Sequence, residues 1–182
     1  MRHPDRFPTH RWGVIAACAL LSTVTPFPAG EAAEPGTAPE PPVEIEADQA
    51  DMDAESGISV YTGDAILTRG EMRITGDVME VYTDRDGALE RVFVRGQPAT
   101  YYDHPVDQPR PVQGQAETME YFTSGPERVI LRGAAHLWQG QDEITGESIH
   151  ADLERQWVEA RSGEGRRART VIYPGQREES SQ

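Results

Sequence analysis

The sequence predicts an all-β domain, a sandwich, roll or barrel, and three observations carry that prediction. From Val43 to Tyr173, apolar and polar residues alternate in short runs broken by glycines and by Asp-Gly or Ser-Gly turns. Nowhere in that span is helical spacing sustained over three turns, so the periodicity is that of strands. The third observation is an internal repeat: Thr62 to Asp77 returns in degenerate form as Arg132 to Glu147. Gly63, Gly70 and Gly76 recur as Gly133, Gly140 and Gly146, and Leu67, Ile74 and Thr75 recur as Leu137, Ile144 and Thr145, all displaced by the same 70 positions (133 − 63). Self-similarity of this kind marks a doubled or stacked architecture, in which one unit cannot bury its apolar face until a neighbour covers it.

In chain order, Arg2, Arg6 and Arg11 precede an apolar run of 13 residues from Trp12 to Val24, followed by Pro26, Pro28 and the small residues around Ala29 to Ala33. That run is shorter than the roughly 18 residues a membrane span requires, which argues against an uncleaved anchor. Gly30-Glu31-Ala32 offers small residues at both cleavage-specifying positions, so residues 1–32 are expected to be a secretory signal peptide cut after Ala32. Ile15-Ala16-Ala17-Cys18 looks like a lipoprotein-processing box, but only six residues separate Arg11 from Cys18 and the apolar run continues beyond it. Loss of Cys18 with the signal leaves no cysteine, as in an exported protein that folds without disulfides. Residues 33–42, rich in Pro, Glu and Ala, are expected to be a disordered linker.

All 17 basic residues are arginines and the net charge is −14; from Ala33 onward 14 arginines face 29 acids, a net of −15. The arginines alternate with acids and form no basic stripe, which argues against nucleic acid as a partner.

The domain is expected to span 43–174. Val43 to Ala47 alternates apolar and acidic residues, and Gly57 to Tyr61, Ala65 to Arg69, Met72 to Thr75, Met79 to Val81 and Arg91 to Arg95 read as further strands. Asp86-Gly87 suits a hairpin with positive φ, Gly96-Gln97-Pro98 reads as a strand stop, and Pro105, Pro109 and Pro111 mark an exposed connection between the halves. The second half offers Val112 to Met119, Tyr121 and Phe122, a Ser124-Gly125-Pro126 loop, Val129 to Arg132, Ala134 to Gln139, Ile144 and Thr145, Ile149, Trp157 to Ala160 and Thr170 to Tyr173. Arg161 to Arg169 is a turn rich in Gly and Arg, and 175–182 is a polar tail.

Alternation assigns one face of these strands inward: Val43, Ile45, Leu67, Ile74, Met79, Val81, Tyr101, Tyr121, Leu137 and Ile144. Such a lining fits a closed core or an apolar groove. Catalytic chemistry finds no support. His104, His136 and His150 lack metal-ligand spacing and read as surface residues, and there is no nucleophile signature. Asp48, Asp51, Asp53 and Glu55 lack the glycine and terminal glutamate of a calcium loop and read as a solvated edge. No cofactor, metal or catalytic residue is therefore assigned.

Four segments, Pro42 to Asp48, Thr62 to Gly70, Gly96 to Tyr102 with its Pro-Ala-Thr-Tyr-Tyr sequence, and Val112 to Gly114 with Gly133 onward, resemble the LptA (OstA-like) family of periplasmic lipopolysaccharide-transport proteins in order and spacing. The resemblance runs from about Val43 to Pro174. It implies a twisted, open β-jelly-roll with an apolar interior that carries lipopolysaccharide between the inner and outer membranes of Gram-negative bacteria. It places Val43, Ile45, Tyr101 and Tyr121 at positions that contact acyl chains in the family, and Leu67, Ile74, Met79, Val81 and Leu137 extend the expected lipid A lining. It also implies that the end strands, through Val43, Ile45 and Ala47 and through Thr170, Val171, Ile172 and Tyr173, join copies head to tail and meet inner- and outer-membrane partners of the same fold. Family members are often lysine-rich; here any contact with lipid phosphate would fall to arginines such as Arg69, Arg73, Arg95 and Arg132. A polysaccharide-acting β-roll enzyme would need clustered acids or bases, and a structural β-solenoid would need more than two repeats.

Overall fold

A computed structural model describes residues 41–106, 108–165 and 167–174. The expected signal peptide, the polar tail and all of the expected linker but its last two residues lie outside these. The described residues form ten strands and no helix: β1 (Val43–Glu46), β2 (Gln49–Asp53), β3 (Ile58–Arg69), β4 (Met72–Thr83), β5 (Leu89–Asp103), β6 (Val112–Phe122), β7 (Arg128–Gln139), β8 (Asp142–Asp152), β9 (Trp157–Arg161) and β10 (Arg169–Val171). All pairings are antiparallel, in the order β1-β3-β4-β5-β6-β7-β8-β10, with β2 also on β3 and β9 also on β8.

The long strands are each interrupted at the same level. Register shifts fall between Thr62 and Ala65 on β3, Thr75 and Val78 on β4, Arg95 and Ala99 on β5, Gln115 and Thr118 on β6, and Arg132 and Ala135 on β7. A bulge bends its strand and adds local twist, so a row of them folds the sheet along a crease. On one side of the crease lies a leaf made of β1, the second half of β3, the first half of β4 and their continuations to β10. On the other lies a leaf running from β2 to β9. The internal repeat is the pair of hairpins β3–β4 and β7–β8, and it repeats the crease chemistry: Gly63 and Asp64 have φ of 85° and 43°, Gly133 and Ala134 have 78° and 48°.

The bulges also explain where the sequence reading broke strands. Inward residues change phase across the crease, from Met72 and Ile74 to Met79 and Val81 on β4, and from Val92 and Val94 to Ala99 and Tyr101 on β5. The stretch expected at Gly57 to Tyr61, which starts at Ile58 with Gly57 in the turn before it, and Ala65 to Arg69 are therefore parts of one strand, as are Met72 to Thr75 with Met79 to Val81, and the corresponding pieces of β7 and β8. Gly96-Gln97-Pro98 does not stop β5. It occupies the bulge, where neither β4 nor β6 pairs with it, so Pro98 costs no ladder hydrogen bond.

Two elements differ in other ways. β2 sets Ala50 and Met52 between Gln49, Asp51 and Asp53, but it is exposed along its whole length, and its pairing with β3 makes it a strand. The last strand ends at Val171, and Ile172 and Tyr173 continue as exposed coil, with the Tyr173 backbone N–H donating to Asp142 Oδ1 at 2.8 Å.

Three hairpins of the second leaf are closed by aspartate. Asp53 Oδ1 accepts from the backbone N–H of Glu55 at 3.0 Å, Asp84 Oδ1 from Asp86 and Ala88 at 2.9 Å each, and Asp152 Oδ1 from Arg155 at 2.8 Å. The acids around Asp53 thus include a turn-former; its Ser56 hydroxyl partner is the main reason its pKa lies below the ordinary value.

Both leaves contribute to one buried cluster. Leu67, Ile74, Ala99 and Tyr101 come from the first leaf, and Met79, Val92, Val94, Met119, Tyr121, Leu131 and Ile149 from the second. Gly76 shows how close the strands come at the crease: a Cβ there would lie 2.7 Å from the Arg95 carbonyl oxygen and collide with Val94. Gly87, by contrast, has φ of 83° in an open turn, where a Cβ would meet nothing within 4 Å. Gly76→Ala is expected to cost about 2–4 kcal/mol through crowding of the crease, and Gly87→Ala about 1 kcal/mol through φ alone; urea denaturation of both variants checks the difference.

Candidate functional site

Among the described residues, the interior between the leaves is where the fold gathers apolar side chains on a large scale, and it changes character along its length. In the middle it is filled. Leu67, Ile74, Met79 and Tyr121 are fully buried and Tyr101 is 2% exposed. Tyr101 on one leaf meets Tyr121 on the other with ring centroids 6.4 Å apart, and a Cβ on Gly114 of the first leaf would touch Leu131 of the second at 3.1 Å.

Toward the C-terminal end the leaves part. A cavity of about 800 Å³ opens there, lined by Val112 and Leu137 with Ile144, Leu153, Val158 and Val171. β10 pairs with the first half of β8 and β9 with its second half, so these short strands form the two lips of the opening. The connection between β5 and β6 borders it rather than hanging free: Gln139 Nε2 donates to Gln108 Oε1 at 2.7 Å and to the Arg110 carbonyl at 3.0 Å. The connection expected to be exposed is mostly half-buried: of its three prolines only Pro109 is exposed, and Pro105 and Pro111 are half-buried.

Opposite the crease, the seam between the leaves is polar. Arg69, at the end of β3, reaches from the first leaf to the second, where its Nη1 donates to Tyr121 Oη at 3.2 Å and lies 3.8 Å from Glu127 Oε1. Tyr121 donates in turn to Glu127, and Tyr101 donates to Asp103 Oδ2 at 3.3 Å. Burial, followed by the charge of Asp103, raises the Tyr101 pKa well above its ordinary value, and burial with the bond to Glu127 raises that of Tyr121. Both phenols remain donors. Burial also lifts the Asp103 carboxyl above its ordinary 3.8, with the charge of Glu127 adding to the effect.

The predicted lining is brought together with one exception in degree. Leu67, Ile74, Met79, Val81, Tyr101, Tyr121 and Leu137 are buried and Ile45 is half-buried, all within or against one cluster. Val43 shares their face but stands 38% exposed at the edge strand. Of the four arginines singled out, only Arg69 points to the seam; Arg95 pairs with Glu80 at 2.7 Å and Arg132 with Glu120 on the outer face, and Arg73 is exposed. His136 is not a free surface residue: Nε2 lies 3.2 Å from Glu143 Oε2 and its ring stacks 4.6 Å from Trp138. The sequence reading missed Asp103, Glu127, Leu153 and Val158. Alternation from Tyr101 to Asp103 and back from Val129 to Glu127 was the available signal, but it does not reveal which inward residues meet across the interior.

Among the described residues, no group of three or more His, Cys, Asp or Glu side chains is placed to hold a metal ion, and no helix is long and apolar enough to cross a membrane. Residues 44–157 match the family described as LptA/(LptD N-terminal domain) LPS transport protein. The chain belongs to this family. Its relatives include the lipopolysaccharide export system protein LptA of Escherichia coli, 34% identical over 138 residues that cover 74% of this chain and 72% of the relative. Another is the lipopolysaccharide export system protein LptH of Pseudomonas aeruginosa, 33% identical over 121 residues, 66% of this chain and 69% of the relative. The crystal structure of LptH, the LptA-homologous periplasmic component of the lipopolysaccharide transport device of that organism, superposes with a TM-score of 0.67 at 30% identity, covering 74% of this chain and 96% of that one. The creased antiparallel sheet is thus the open β-jelly-roll of the LptA family, as the resemblance implied.

Asp103 gives the site a pH signature. Its pKa is raised on folding, so its contribution to stability is fully present below the unfolded value of 3.8 and is lost as pH rises through the folded value. Asp103→Asn, which keeps an acceptor for Tyr101, is expected to be more stable than the parent at pH 7, with the gap closing toward pH 4. Urea denaturation at the two pH values measures it; a gap independent of pH would contradict the assignment.

Proposed function

We propose that the chain is a periplasmic lipopolysaccharide-transport protein, whose apolar interior shields the acyl chains of lipid A while its two ends join transport components of the inner and outer membranes. Family membership and the names of its relatives support lipopolysaccharide transport. The observation that carries the finer reading is the open C-terminal end of the interior, because acyl chains need a dry surface continuous with an entrance. Each methylene buried there contributes roughly 0.8 kcal/mol, so even a short length of chain in a cavity this size binds usefully. The filled middle of the roll would then have to part its leaves, or pass chains along from the open end, for lipid to occupy Leu67, Ile74, Tyr101 and Tyr121.

The ends are read as docking strands. Of the large apolar residues that stand exposed, all but Val106 lie at the ends: Val43 and Met52 on β1 and β2, and Trp157, Val158, Ile172 and Tyr173 on or just after β9 and β10. Those same strands carry the unpaired backbone edges of the sheet, which suit strand addition. Each end presents two short strands in place of one, so a partner would continue both leaves and extend the apolar interior from copy to copy. Ala47, packed against the core beside β1, and Val171, lining the cavity, sit where such a junction would form.

Val158→Asp and Ile144→Asp place a carboxylate in the open end at a cost of several kcal/mol if it must stay unpaired and dry. Both are expected to lose lipopolysaccharide binding, measured by displacement of an apolar fluorophore, while the outward Glu44→Gln binds normally. Equal displacement in all three refutes the reading. For the ends, deletion of Thr170 to Tyr173 is expected to abolish concentration-dependent self-association in light scattering; a truncated protein that associates like the parent would rule out pairing through β10.

A further inference from the structure

Glu127 holds a position that a ligand could take. The Tyr121 hydroxyl donates to the Glu127 carboxylate and accepts from Arg69 Nη1, which itself lies 3.8 Å from that carboxylate, and the carboxylate arrives on the connection between β6 and β7 rather than on the strand beside Arg69. The three side chains therefore make an oxyanion site filled in cis: a cation and a neutral hydroxyl donor from within the roll, and an anion from its rim. The Tyr121 ring belongs to the buried core, but the Arg69 and Glu127 side chains are 25% and 34% exposed, so the ion pair sits at the seam within reach of solvent.

Its location specifies what else would fit. Arg69 alternates with Leu67 and Ala65 along the inward face of β3, so the guanidinium stands at the border between the apolar interior and water. An amphipathic molecule with its chains between the leaves must place its head at that border. Resting on the transport reading above, we propose that Arg69 and Tyr121 form a binding site for the anionic oxygens of a lipid headgroup, phosphate above all, and that Glu127 is an internal competitor displaced when the headgroup binds. Guanidinium favours planar, bidentate recognition of such oxyanions, which the single contact with Glu127 does not exploit.

The neighbours set the strength of the site. Asp103 lies close enough to Glu127 for their charges to interact, and it accepts from Tyr101. Its charge opposes an incoming anion, while leaving Arg69 as the cation to which that anion is drawn. The competition makes binding reversible, as a carrier that must hand its cargo on requires. Arg73, Arg95 and Arg132 cannot substitute, because they face outward from the leaves.

The test compares three probes, dodecyl phosphate, dodecyl maltoside and inorganic phosphate, in displacement of an apolar fluorophore and in isothermal titration, all below micelle-forming concentrations. Removing the competitor with Glu127→Gln is expected to tighten dodecyl phosphate by about fivefold, the scale of a partly exposed ion pair, with dodecyl maltoside unchanged. Arg69→Gln is expected to abolish the preference for phosphate over maltoside, and Arg69→Lys to restore part of it. Inorganic phosphate is expected to bind only weakly, since it lacks the chains; binding as tight as that of dodecyl phosphate would overturn a headgroup site in favour of a free-anion site. Retained maltoside binding reports that each variant is folded. If Glu127→Gln shifts both amphiphiles alike, or Arg69→Gln keeps the phosphate preference, the headgroup site is wrong while the apolar transport reading stands. If the parent chain binds neither amphiphile, both fail together.

Discussion

The fold depends on a crease. Bulges on neighbouring strands line up across the whole sheet, at Gly63 and Asp64, Gly76 and Asp77, Gly96 to Pro98, Ala116 and Glu117, and Gly133 and Ala134, so a single antiparallel sheet bends over on itself and buries one face against the same face of its other half. Glycine is needed where the backbone turns left-handed, as at Gly63, and where strands crowd, as at Gly76, whose Cβ would strike the next strand. Without the crease the apolar faces of the two leaves would have no partner. The 70-residue repeat is the sequence record of that constraint, since each copy supplies one hairpin bent in the same place.

A creased sheet is closed along one side by its own backbone and open along the other, and the chemistry of the open side differs by position. In the middle, Arg69, Tyr121 and Glu127 bridge the leaves over a fully packed interior. At the C-terminal end the core side chains become sparse, β9 and β10 diverge on either side of β8, and an apolar cavity meets solvent. Tyrosine serves both regimes: its ring joins the core and its hydroxyl reaches the polar border. Tyr101 and Tyr121 thereby connect the apolar interior to the charged seam, and among the described residues no buried side-chain polar atom is left without a partner.

Much of the architecture was legible along the chain. The all-β class, the inward face and the repeat follow from period-two alternation and glycine placement, which are local properties, and nearly every residue assigned inward is buried or half-buried. The misplaced strand ends share one cause. A bulge shifts the phase of alternation inside a strand, which along the sequence looks like an end, so β3, β4, β7 and β8 read as pairs of shorter strands and Gly96-Gln97-Pro98 read as the end of β5. β2 was missed for a different reason: its alternation of Ala50 and Met52 with polar residues is short, two of its five residues are aspartates, which strands disfavour, and pairing with β3 is what holds it.

The sequence by itself determined which residues face inward and that one β unit occurs twice, because side-chain direction in a strand is fixed by position along the chain. Only the tertiary structure decided which of those inward residues meet. Arg69 and Glu127 stand 58 positions apart (127 − 69), and nothing in the local pattern of either distinguishes Arg69 from Arg73, Arg95 or Arg132. Their encounter depends on how far the crease closes, and so does the difference between a packed middle and an open end. Closure is set by the summed bend of every bulge and by the volume of every core side chain, quantities that belong to the whole sheet and to no single stretch of sequence.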